Sequence, residues 1–514
     1  MNKNRNFKII MLVLVFQFIF IFNLFAEQVK LTFFYTNDIH GNIKPYNIMR
    51  RDLEKPFLGG GFSIMKKYID DYKKNNKNRI IILVDAGDIF QGTPEGDLTD
   101  GTLVIETMNK MNYTAATLGN HEFDRGEDKL LKLIDKMKFA AVSANITAPS
   151  KSKLKKYAIK NFNNKIRIAF TGLLTTETKK ILGAGALKKF DILDEMSSLK
   201  NVLNLLKKEK YDMLVLLSHC GTATDSAIVS EIGDFDVIFG GHDHSAKLEP
   251  LIVENRKTLV FSTYGRLSQI GQLEIDYDKK SKKIVNFKNA MIDLKEEIGQ
   301  DKALQKFITE KSKNIDKIMN VKIGYSEIDL ARNAVDDSYY SSSVLGNILT
   351  DVLREKSGAQ IAFYNNSGIR SSIAAGTVKF RDAYQVEPFG NTIYTMKLKG
   401  SDIRQFISEV LNDAYHSVQI SGLKIEYYQD ASDSKFYLSK IVLDNGSLLN
   451  DAEYYLTATP NYIGAGNDGY LVFLKGIEKK DLLISILDSF VEKLKSNEKY
   501  NYVFKNRIEF IGIK

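Results

Sequence analysis

Five short polar clusters in the first half of the chain carry residue types that bind metals and move protons. They are Asn37-Asp38-Ile39-His40-Gly41, Asp85-Ala86-Gly87-Asp88, Gly119-Asn120-His121-Glu122-Phe123-Asp124, Ser218-His219-Cys220-Gly221 and Gly240-Gly241-His242-Asp243-His244. Of the six histidines in the chain, five lie in these clusters and only His416 lies elsewhere. Imidazole and carboxylate ligands together suit divalent transition metals such as Zn, Mn, Co or Fe.

The number of candidate ligands fits two cations that share one carboxylate. Two cations about 3.5–4 Å apart hold the attacking and leaving oxygens of an in-line displacement at phosphorus, and they make a water between them acidic enough to attack near neutral pH. One such cluster alone is more often a structural turn than a site. Five of them together indicate a metal centre that hydrolyses phosphate esters.

Each polar cluster directly follows an apolar run that is typical of a β-strand. Strands are predicted over 31–36, 79–84, 113–118, 166–172, 212–217 and 235–239, and helices over 102–111 and 199–208. Alternating strands and helices indicate a layered α/β domain. Because ligands gather at the carboxyl ends of strands in such sheets, the five clusters are expected to converge on one site.

The motifs in these clusters resemble the calcineurin-like metallophosphoesterase signature in its 5'-nucleotidase form. They read T-N-D-I-H-G at 36–41, D-A-G-D-I-F-Q-G at 85–92, L-G-N-H-E-F-D at 118–124 and G-G-H-D-H at 240–244. The resemblance implies a fold of α/β class: a four-layer αββα sandwich, followed by a second, smaller α/β nucleotide-binding domain.

The resemblance also implies two metal positions. One would use Asp38, His40, Asp88 and His244, and the other would use Asp88, Asn120, His219 and His242, with Asp88 bridging. His121 would stabilise charge on the phosphate and the leaving group, oriented by Asp124. A carboxylate three residues away can fix the tautomer of an imidazole and raise its basicity.

Three motifs in the second half are similar to the nucleotide-binding domain of the same family. They are N-N-S-G-I-R at 365–370, E-P-F-G-N-T at 387–392 and P-N-Y-I-G-A-G-N-D-G-Y at 460–470. The implied substrate residues are Asn365, Arg370, Phe389, Asn391, Tyr462 and Asp468. Among them, Arg370 would contact phosphate and Asn391 a base edge. Phe389 and Tyr462 would sandwich the base, a contact that contributes roughly 1–3 kcal/mol, and Asp468 would accept from ribose hydroxyls.

One stretch departs from the family pattern. Residues 339–343 read Tyr-Tyr-Ser-Ser-Ser where the family usually carries an Arg-x-Arg-Glu type of sequence. Charged hydrogen bonds to phosphate are among the stronger ones available, so their loss weakens the case for a 5'-monophosphate and favours a diester or a sugar nucleotide. Arg332 or a nearby lysine is a candidate replacement.

The N-terminus has the order of a secretory signal. Lys3, Arg5 and Lys8 precede an apolar run from Ile9 to Phe25, which ends at Ala26. The predicted organisation is a signal peptide at 1–26, a metallophosphoesterase domain at 27–296, a helical linker at 297–320 and a substrate-binding domain at 321–514. Export to the periplasm, the cell surface or the medium follows, and an uncleaved anchor is the alternative.

Composition is normal for a globular protein and shows no nucleic-acid tract. Hydrophobic residues make up 44% of the 514-residue chain and charged residues 26%, and the net charge of +9 is spread along the sequence. The single cysteine, Cys220, excludes an internal disulfide. No later run approaches the roughly 20 apolar residues of a spanning helix, so no membrane span is expected after signal cleavage.

The sequence therefore predicts an exported phosphoesterase with two divalent metal ions that hydrolyses nucleotides to nucleoside and phosphate by metal-hydroxide attack. The enzymatic alternatives are a 2',3'-cyclic-nucleotide phosphodiesterase, a UDP-sugar or dinucleotide pyrophosphatase and a thiosulfohydrolase-like enzyme. The alternative of another class is a surface nucleotide-binding protein without activity. A nucleotide is the expected partner in each of these interpretations except the thiosulfohydrolase.

Overall fold

A computed structural model describes residues 28–50, 52–182, 187–250, 258–332, 340–413, 416–495 and 500–514. The predicted signal peptide at 1–26 and Tyr339 lie outside these residues. Within the described ranges, no helix combines the length and the apolar character needed to cross a membrane.

Two sheets face each other in the first domain. The six-stranded sheet runs in the order Lys283–Asp293, Gln269–Asp278, Gln28–Thr36, Ile80–Asp85, Ala115–Ala116 and Ala140–Ala141. The five-stranded sheet runs in the order Leu259–Phe261, Val237–Gly240, Met213–His219, Ile166–Leu174 and Tyr157–Phe162. Phe33, Phe170 and Phe239 belong to the buried apolar cluster between the sheets.

Helices cover the outer face of each sheet. Those on the first sheet are Phe62–Asn75, Thr102–Met111 and Glu127–Lys136, and those on the second are Glu195–Leu206 and Gly221–Glu231. The shorter elements are the helices Pro94–Asp97 and Thr178–Leu182 and the strand pairs Tyr46–Ile48 with Phe57–Gly59 and Ile146–Thr147 with Asp191–Ile192. The predicted αββα sandwich is confirmed.

Two predicted elements differ most in their bounds from those of the structure. The helix expected at 199–208 begins four residues earlier, because the Asp194 side chain caps it by accepting from the Ser197 N–H at 2.8 Å. The strand expected at 113–118 is reduced to Ala115–Ala116. Its neighbours still bond to the adjacent strand, since the Thr114 N–H donates to Leu83 at 2.8 Å.

The second domain is a smaller α/β unit. Its main sheet runs in the order Val418–Ser421, Ile361–Asn365, Tyr454–Pro460, Thr392–Lys399 and Ile477–Ser485. A three-stranded sheet contains Phe436–Leu443, Leu423–Gln429 and Ile508–Ile513, and Lys322–Ser326 pairs with Gly376–Lys379. The helices are Val344–Ser357, Phe380–Val386, Gly400–Val410, Asn461–Gly464 and Ile486–Lys495.

One long helix, Lys302–Met319, lies within the stretch predicted as a linker. Asp301 caps it by accepting from the Leu304 N–H at 2.8 Å. Leu304 and Ile308 are buried in the helical core of the first domain. Near the other end, Asp316 accepts from Arg381 of the second domain at 2.8 Å. The helix therefore belongs to the packing of the first domain and also contacts the second.

Candidate metal centre and active site

The polar clusters meet because their strands are neighbours. Gln28–Thr36 pairs in parallel with Ile80–Asp85, and Met213–His219 pairs in parallel with Val237–Gly240, so the carboxyl ends of the strands in each pair lie together. The loops that follow are bonded to one another: the Asp38 N–H donates to Gly87 at 2.8 Å and the His40 N–H donates to Asp88 at 2.9 Å. The ring of His219 joins the two sheets through Nδ1, which lies 2.8 Å from the carbonyl of Ala86.

Five of the seven predicted metal ligands have positive φ angles. They are Asp38 (49°), His40 (48°), Asp88 (56°), His242 (89°) and His244 (49°). Such backbone is costly for residues with a Cβ, and it persists where surrounding contacts hold it, often at functional sites. These turns bring Asp38 and His40, and likewise His242 and His244, to one site directly after their strands.

Asp38, His40 and His244 form the first candidate cluster, with ligand atoms within 4.8 Å of one another. His40 donates from Nδ1 to the Gln91 carbonyl at 2.8 Å, so its Nε2 carries a lone pair. That nitrogen lies 3.2 Å from Nε2 of His244. Ring nitrogens facing each other beside a carboxylate fit a bound cation, because a cation replaces the repulsion of two lone pairs with coordination.

Asp38, Asp88 and His219 form the second cluster, also within 4.8 Å. Nε2 of His219 lies 3.3 Å from Asp88 Oδ2 and 3.2 Å from Asn120 Oδ1. His242 adds a further nitrogen, with Nδ1 3.1 Å from the same Asn120 oxygen. The two clusters are contiguous, since Asp88 Oδ2 is also 3.6 Å from His40 Nε2.

Burial keeps three of the histidines neutral, the form that binds a metal. Burial and then the positive charge of Arg370 hold the pKa of His40 well below its usual range, and burial followed by His40 does the same for the pKa of His244. Burial and His219 lower the pKa of His242 to about 4. Burial opposes ionisation of Asp88, but His219 and His121 outweigh it and hold that carboxyl pKa well below its ordinary value.

His121 lies beside the clusters with a carboxylate behind it. Its Nδ1 is 2.7 Å from Asp124 Oδ2, and its ring centre is 5.4 Å from that of His40. Burial works against the charged ring, but Asp124 and then Asp88 outweigh it and raise the pKa of His121. With Nδ1 donating to Asp124, Nε2 is left for a substrate.

Arg370 and Phe389 of the second domain reach this centre. Arg370 Nη2 lies 3.1 Å from His40 Nε2, and the Phe389 ring centre lies 6.1 Å from that of His121. The guanidinium carbon of Arg370 is 5.8 Å from the Phe389 ring centre. The structure thus brings together a phosphate-binding and a base-stacking candidate with the metal clusters.

The other predicted substrate residues have various contacts. The Tyr462 hydroxyl donates to the carbonyl of Ile181 in the first domain at 3.2 Å. Asn391 donates from Nδ2 to Glu387 at 3.0 Å, and Asn365 donates from Nδ2 to the Ser367 hydroxyl at 2.8 Å, so both amides brace their own loops. Asp468 has a φ of 52° in its turn, and burial raises its pKa.

Glu122 shapes the centre, although sequence reasoning assigned it no role. Its buried carboxylate accepts from the N–H groups of Asp88 at 3.0 Å, Ile89 at 2.7 Å and Gly119 at 2.6 Å. It therefore ties together the loops that carry Asp88 and Asn120. The sequence signal that could have indicated a role for Glu122 is its place as an acidic residue inside a metal-binding motif. Asp85 accepts from the Gly87 N–H at 2.9 Å, which fits a structural role.

Residues 340–343, the described part of the stretch that departs from the family pattern, face the inside of their own domain. The Tyr340 hydroxyl accepts from the Val418 N–H at 3.1 Å and donates to the carbonyl of the same residue. Ser343 caps the helix Val344–Ser357 through the Gly346 N–H at 2.9 Å. Arg332 donates from Nη1 to the carbonyl of Arg370 at 3.3 Å, so it helps to hold the backbone of Arg370 in place.

Comparison with known proteins agrees with this site. A family model for calcineurin-like phosphoesterase matches residues 31–246, which include every residue of the two clusters, and a model for the 5'-nucleotidase C-terminal domain matches 321–475. The first of these defines the class: the protein is a metal-dependent phosphoester hydrolase.

Relatives extend the similarity over both domains. A 5'-nucleotidase of Vibrio parahaemolyticus is 28% identical over 86% of this chain and 84% of its own length. An NAD 5'-nucleotidase of Haemophilus influenzae is 26% identical over 94% of this chain and 93% of its own. The structure of a 5'-nucleotidase precursor from Thermus thermophilus superposes with a TM-score of 0.81 and 26% identity, covering 94% of this chain and 99% of that one. Each of its two domains thus matches one of the two family models, and the chain as a whole is similar to 5'-nucleotidases.

Proposed function

We propose that this chain is an exported hydrolase that uses two divalent ions to convert nucleotides to nucleoside and phosphate. The observation that carries the proposal is the meeting of two domains at one point: Arg370 lies 3.1 Å from His40, and the Phe389 ring lies 6.1 Å from that of His121. A nucleotide bound by the second domain would have its phosphate beside the metal ligands of the first.

Two contiguous ligand clusters support two metal positions. Asp38, His40, Asp88 and His244 would hold one ion, and Asp88, Asn120, His219 and His242 the other. Zn, Mn, Co and Fe all suit these donors. Such a pair of ions would activate a water for attack on phosphorus and neutralise charge on the phosphoryl oxygens.

The remaining side chains have complementary roles in this proposal. Arg370 binds phosphoryl oxygens with a planar pair of donors. His121, oriented by Asp124, donates a hydrogen bond to the phosphoryl or leaving oxygen. Phe389 and Tyr462 stack on the base, Asp468 accepts from the ribose hydroxyls, and Asn365 and Asn391 shape the loops around them.

Export is proposed from the charged, apolar and small-residue order of positions 1–26. N-terminal sequencing of the protein recovered from cells is the test. A mature chain that begins at Glu27 is expected, whereas a chain that keeps its apolar segment would indicate an anchor.

A hydrolysis panel on the purified mature chain, in which inorganic phosphate and the nucleoside and nucleotide products are all separated and measured, tests the function. The substrates are AMP, UMP, 2',3'-cyclic AMP, UDP-glucose and NAD, each with added Mn²⁺ and after chelation. We expect metal-dependent release of phosphate and nucleoside from AMP and UMP. Absence of turnover on these two, with turnover on any of the others, would replace the proposal by the corresponding alternative.

A further inference from the structure

Arg266 occupies a strained loop that is fastened to the metal-binding loop. Gly265, Arg266 and Leu267 are three successive residues with positive φ, at 78°, 58° and 49°. The Arg266 N–H donates to the carbonyl of Asp38 at 2.6 Å, and the Tyr46 hydroxyl donates to the carbonyl of Arg266 at 3.1 Å. Backbone of this kind persists where neighbouring contacts hold it, and it clusters at functional sites.

The guanidinium of Arg266 shares a narrow cleft with that of Arg370. His40, Asn42, Tyr46, Gly92, Ser371 and Gln385 complete the lining. Among the described residues, neither guanidinium has a carboxylate within ion-pair distance, and the side-chain hydrogen-bond partners of Arg370 are His40 Nε2 at 3.1 Å and the carbonyl of Ser367 at 3.3 Å. Carboxylates act on both cations only from farther away. Two partly buried cations without a paired carboxylate cost free energy, which an anion between them lowers.

Electrostatics agree with an anion at this position. Burial and then the charge of Arg370 lower the pKa of Arg266 to about 10. The charge of Arg266 also contributes to the lowered pKa values of His40 and His244. A phosphoryl group beside His40 would be the common counter-charge of both guanidinium groups.

The cleft is small. Its free space is about 10 Å³, and a single water needs roughly 10–15 Å³ on this measure. The cleft therefore admits no larger group in the docked arrangement, and a phosphoryl group held beside His40, which lines the cleft, would turn its outer oxygens toward the two guanidinium groups. Two cations favour the dianion of a terminal phosphoryl group over the monoanion of a diester.

We propose that Arg266 and Arg370 together bind the outer oxygens of a terminal phosphoryl group, which makes nucleotides that end in one the preferred substrates. This inference rests on the proposed function and deepens it. It also compensates for the departure at 339–343, because the second guanidinium comes from the first domain instead of the second. A sugar nucleotide or a dinucleotide lacks a terminal phosphoryl group and is expected to be a poorer substrate.

Binding of orthophosphate to the metal-loaded protein, measured by calorimetry, tests Arg266 without turnover. Arg266→Gln is expected to weaken binding roughly 10- to 100-fold, because it removes a charged hydrogen bond. Adenosine affinity, metal content and melting temperature should stay at wild-type values. Arg404→Gln is the matched control, since Arg404 pairs with the exposed Asp451 at 2.8 Å in the second domain.

Two results would overturn the role of Arg266: wild-type phosphate affinity in Arg266→Gln, or equal losses in Arg266→Gln and Arg404→Gln. Should the Gln variant fail to fold, Arg266→Lys keeps the charge and loses the planar fork of donors. Its phosphate affinity is then expected to lie between wild type and roughly 100-fold weaker. An unchanged affinity in Arg266→Lys together with a Gln variant that cannot fold would count against phosphate contact and for a structural role.

The relative rates on a phosphate monoester and a diester test the preference for a terminal phosphoryl group. The wild type should favour 4-nitrophenyl phosphate over bis(4-nitrophenyl) phosphate by roughly 100-fold or more in kcat/KM. Arg266→Gln should lower this ratio, because the diester carries less negative charge and depends less on the guanidinium. Equal rates on both esters would overturn this preference. Loss of phosphate binding in Arg266→Gln, without hydrolysis of any nucleotide by the wild type, would instead refute the proposed function and leave the anion site standing.

Discussion

Asp88 is the residue on which both candidate metal positions depend. Its Oδ2 lies 3.6 Å from Nε2 of His40 and 3.3 Å from Nε2 of His219, and its Oδ1 accepts from the His121 N–H at 2.9 Å. One carboxylate thus links both clusters and fixes the loop of the proposed acid.

Replacing Asp88 should therefore affect both metals. Asp88→Asn is expected to lose both ions and at least about 10³-fold in kcat, because the amide carries no charge to bridge two cations. His40→Ala should mainly weaken one position. Metal analysis of the purified variants is the measurement, and two full equivalents retained by Asp88→Asn would contradict the bridging role.

His121 is expected to contribute to catalysis without binding a metal. We expect His121→Asn to keep both metals and lose about 10²–10⁴-fold in kcat, the usual contribution of a positioned acid or base. Loss of metal together with activity would instead make His121 a ligand.

The pH profile of Asp124→Asn tests the pKa of His121 through its carboxylate partner. Asp124 is the largest influence that raises the pKa of His121 against its burial. Removing that charge should lower the pKa, so the protonated ring is lost sooner as the pH rises. The alkaline limb of kcat/KM is expected to move to lower pH than in wild type; a limb that does not move would show that His121 is not the titrating acid.

The candidate metal ligands could be predicted from the sequence because histidine is rare in this chain and lies in motifs at strand ends. The roles of Glu122 and Arg266 could not be predicted in this way. The partners of Glu122 are backbone N–H groups, which any sequence supplies. Arg266 shares a cleft with Arg370 only because the two domains meet, so its own local sequence gives no sign of this neighbour.

At the scale of elements, the junctions between strands and loops determine the site. The apolar runs predicted the strands well, because a strand buried on both faces has no need of polar residues until it ends. The bounds of the short strand at 115–116 and of the helix at 195–206 were harder to predict, since they depend on neighbouring hydrogen bonds and on a helix cap.

Gly119 gives an element-scale prediction. A Cβ there would lie 2.1 Å from Asp88 Oδ1 and 2.4 Å from the Asp88 N, while its φ of −98° is ordinary. Gly119→Ala should therefore displace Asp88, weaken metal binding and lower kcat, at a stability cost of about 1–3 kcal/mol. Gly126→Ala is the control for metal binding, because a Cβ there meets no atom within 4 Å, and its φ of 85° makes the alanine cost stability without displacing a ligand. Equal metal affinity in Gly119→Ala and wild type would contradict the close approach.

At the scale of the whole molecule, the second domain docks through the helix Phe380–Val386. Arg381 donates to the buried carboxylate of Glu95 at 2.6 and 2.8 Å, and the Tyr384 hydroxyl donates to Asp97 at 3.3 Å. Lys44 lies 2.9 Å from the same Glu95. Residues 286 positions apart form this contact, and no local pattern could predict it.

The docked arrangement holds Arg370 and Phe389 beside the candidate metal centre, and nucleotide entry is expected to require the domains to separate. A double variant, Glu95→Cys with Arg381→Cys, joined by a short thiol cross-linker in a Cys220→Ser background, should lose turnover and regain it on reductive release. Cys220 is buried and free, so its replacement removes the competing thiol. Full activity of a verified cross-link would show that separation is not needed.

The central claim is that water attacks the phosphorus of a nucleotide at the metal clusters. Hydrolysis of AMP in oxygen-18 water by the metal-loaded chain tests it most directly, with Asp88→Asn as the control. The account predicts one labelled oxygen in the released phosphate, none in adenosine, and no release by the variant. Label in adenosine, or phosphate released equally by Asp88→Asn, would contradict it.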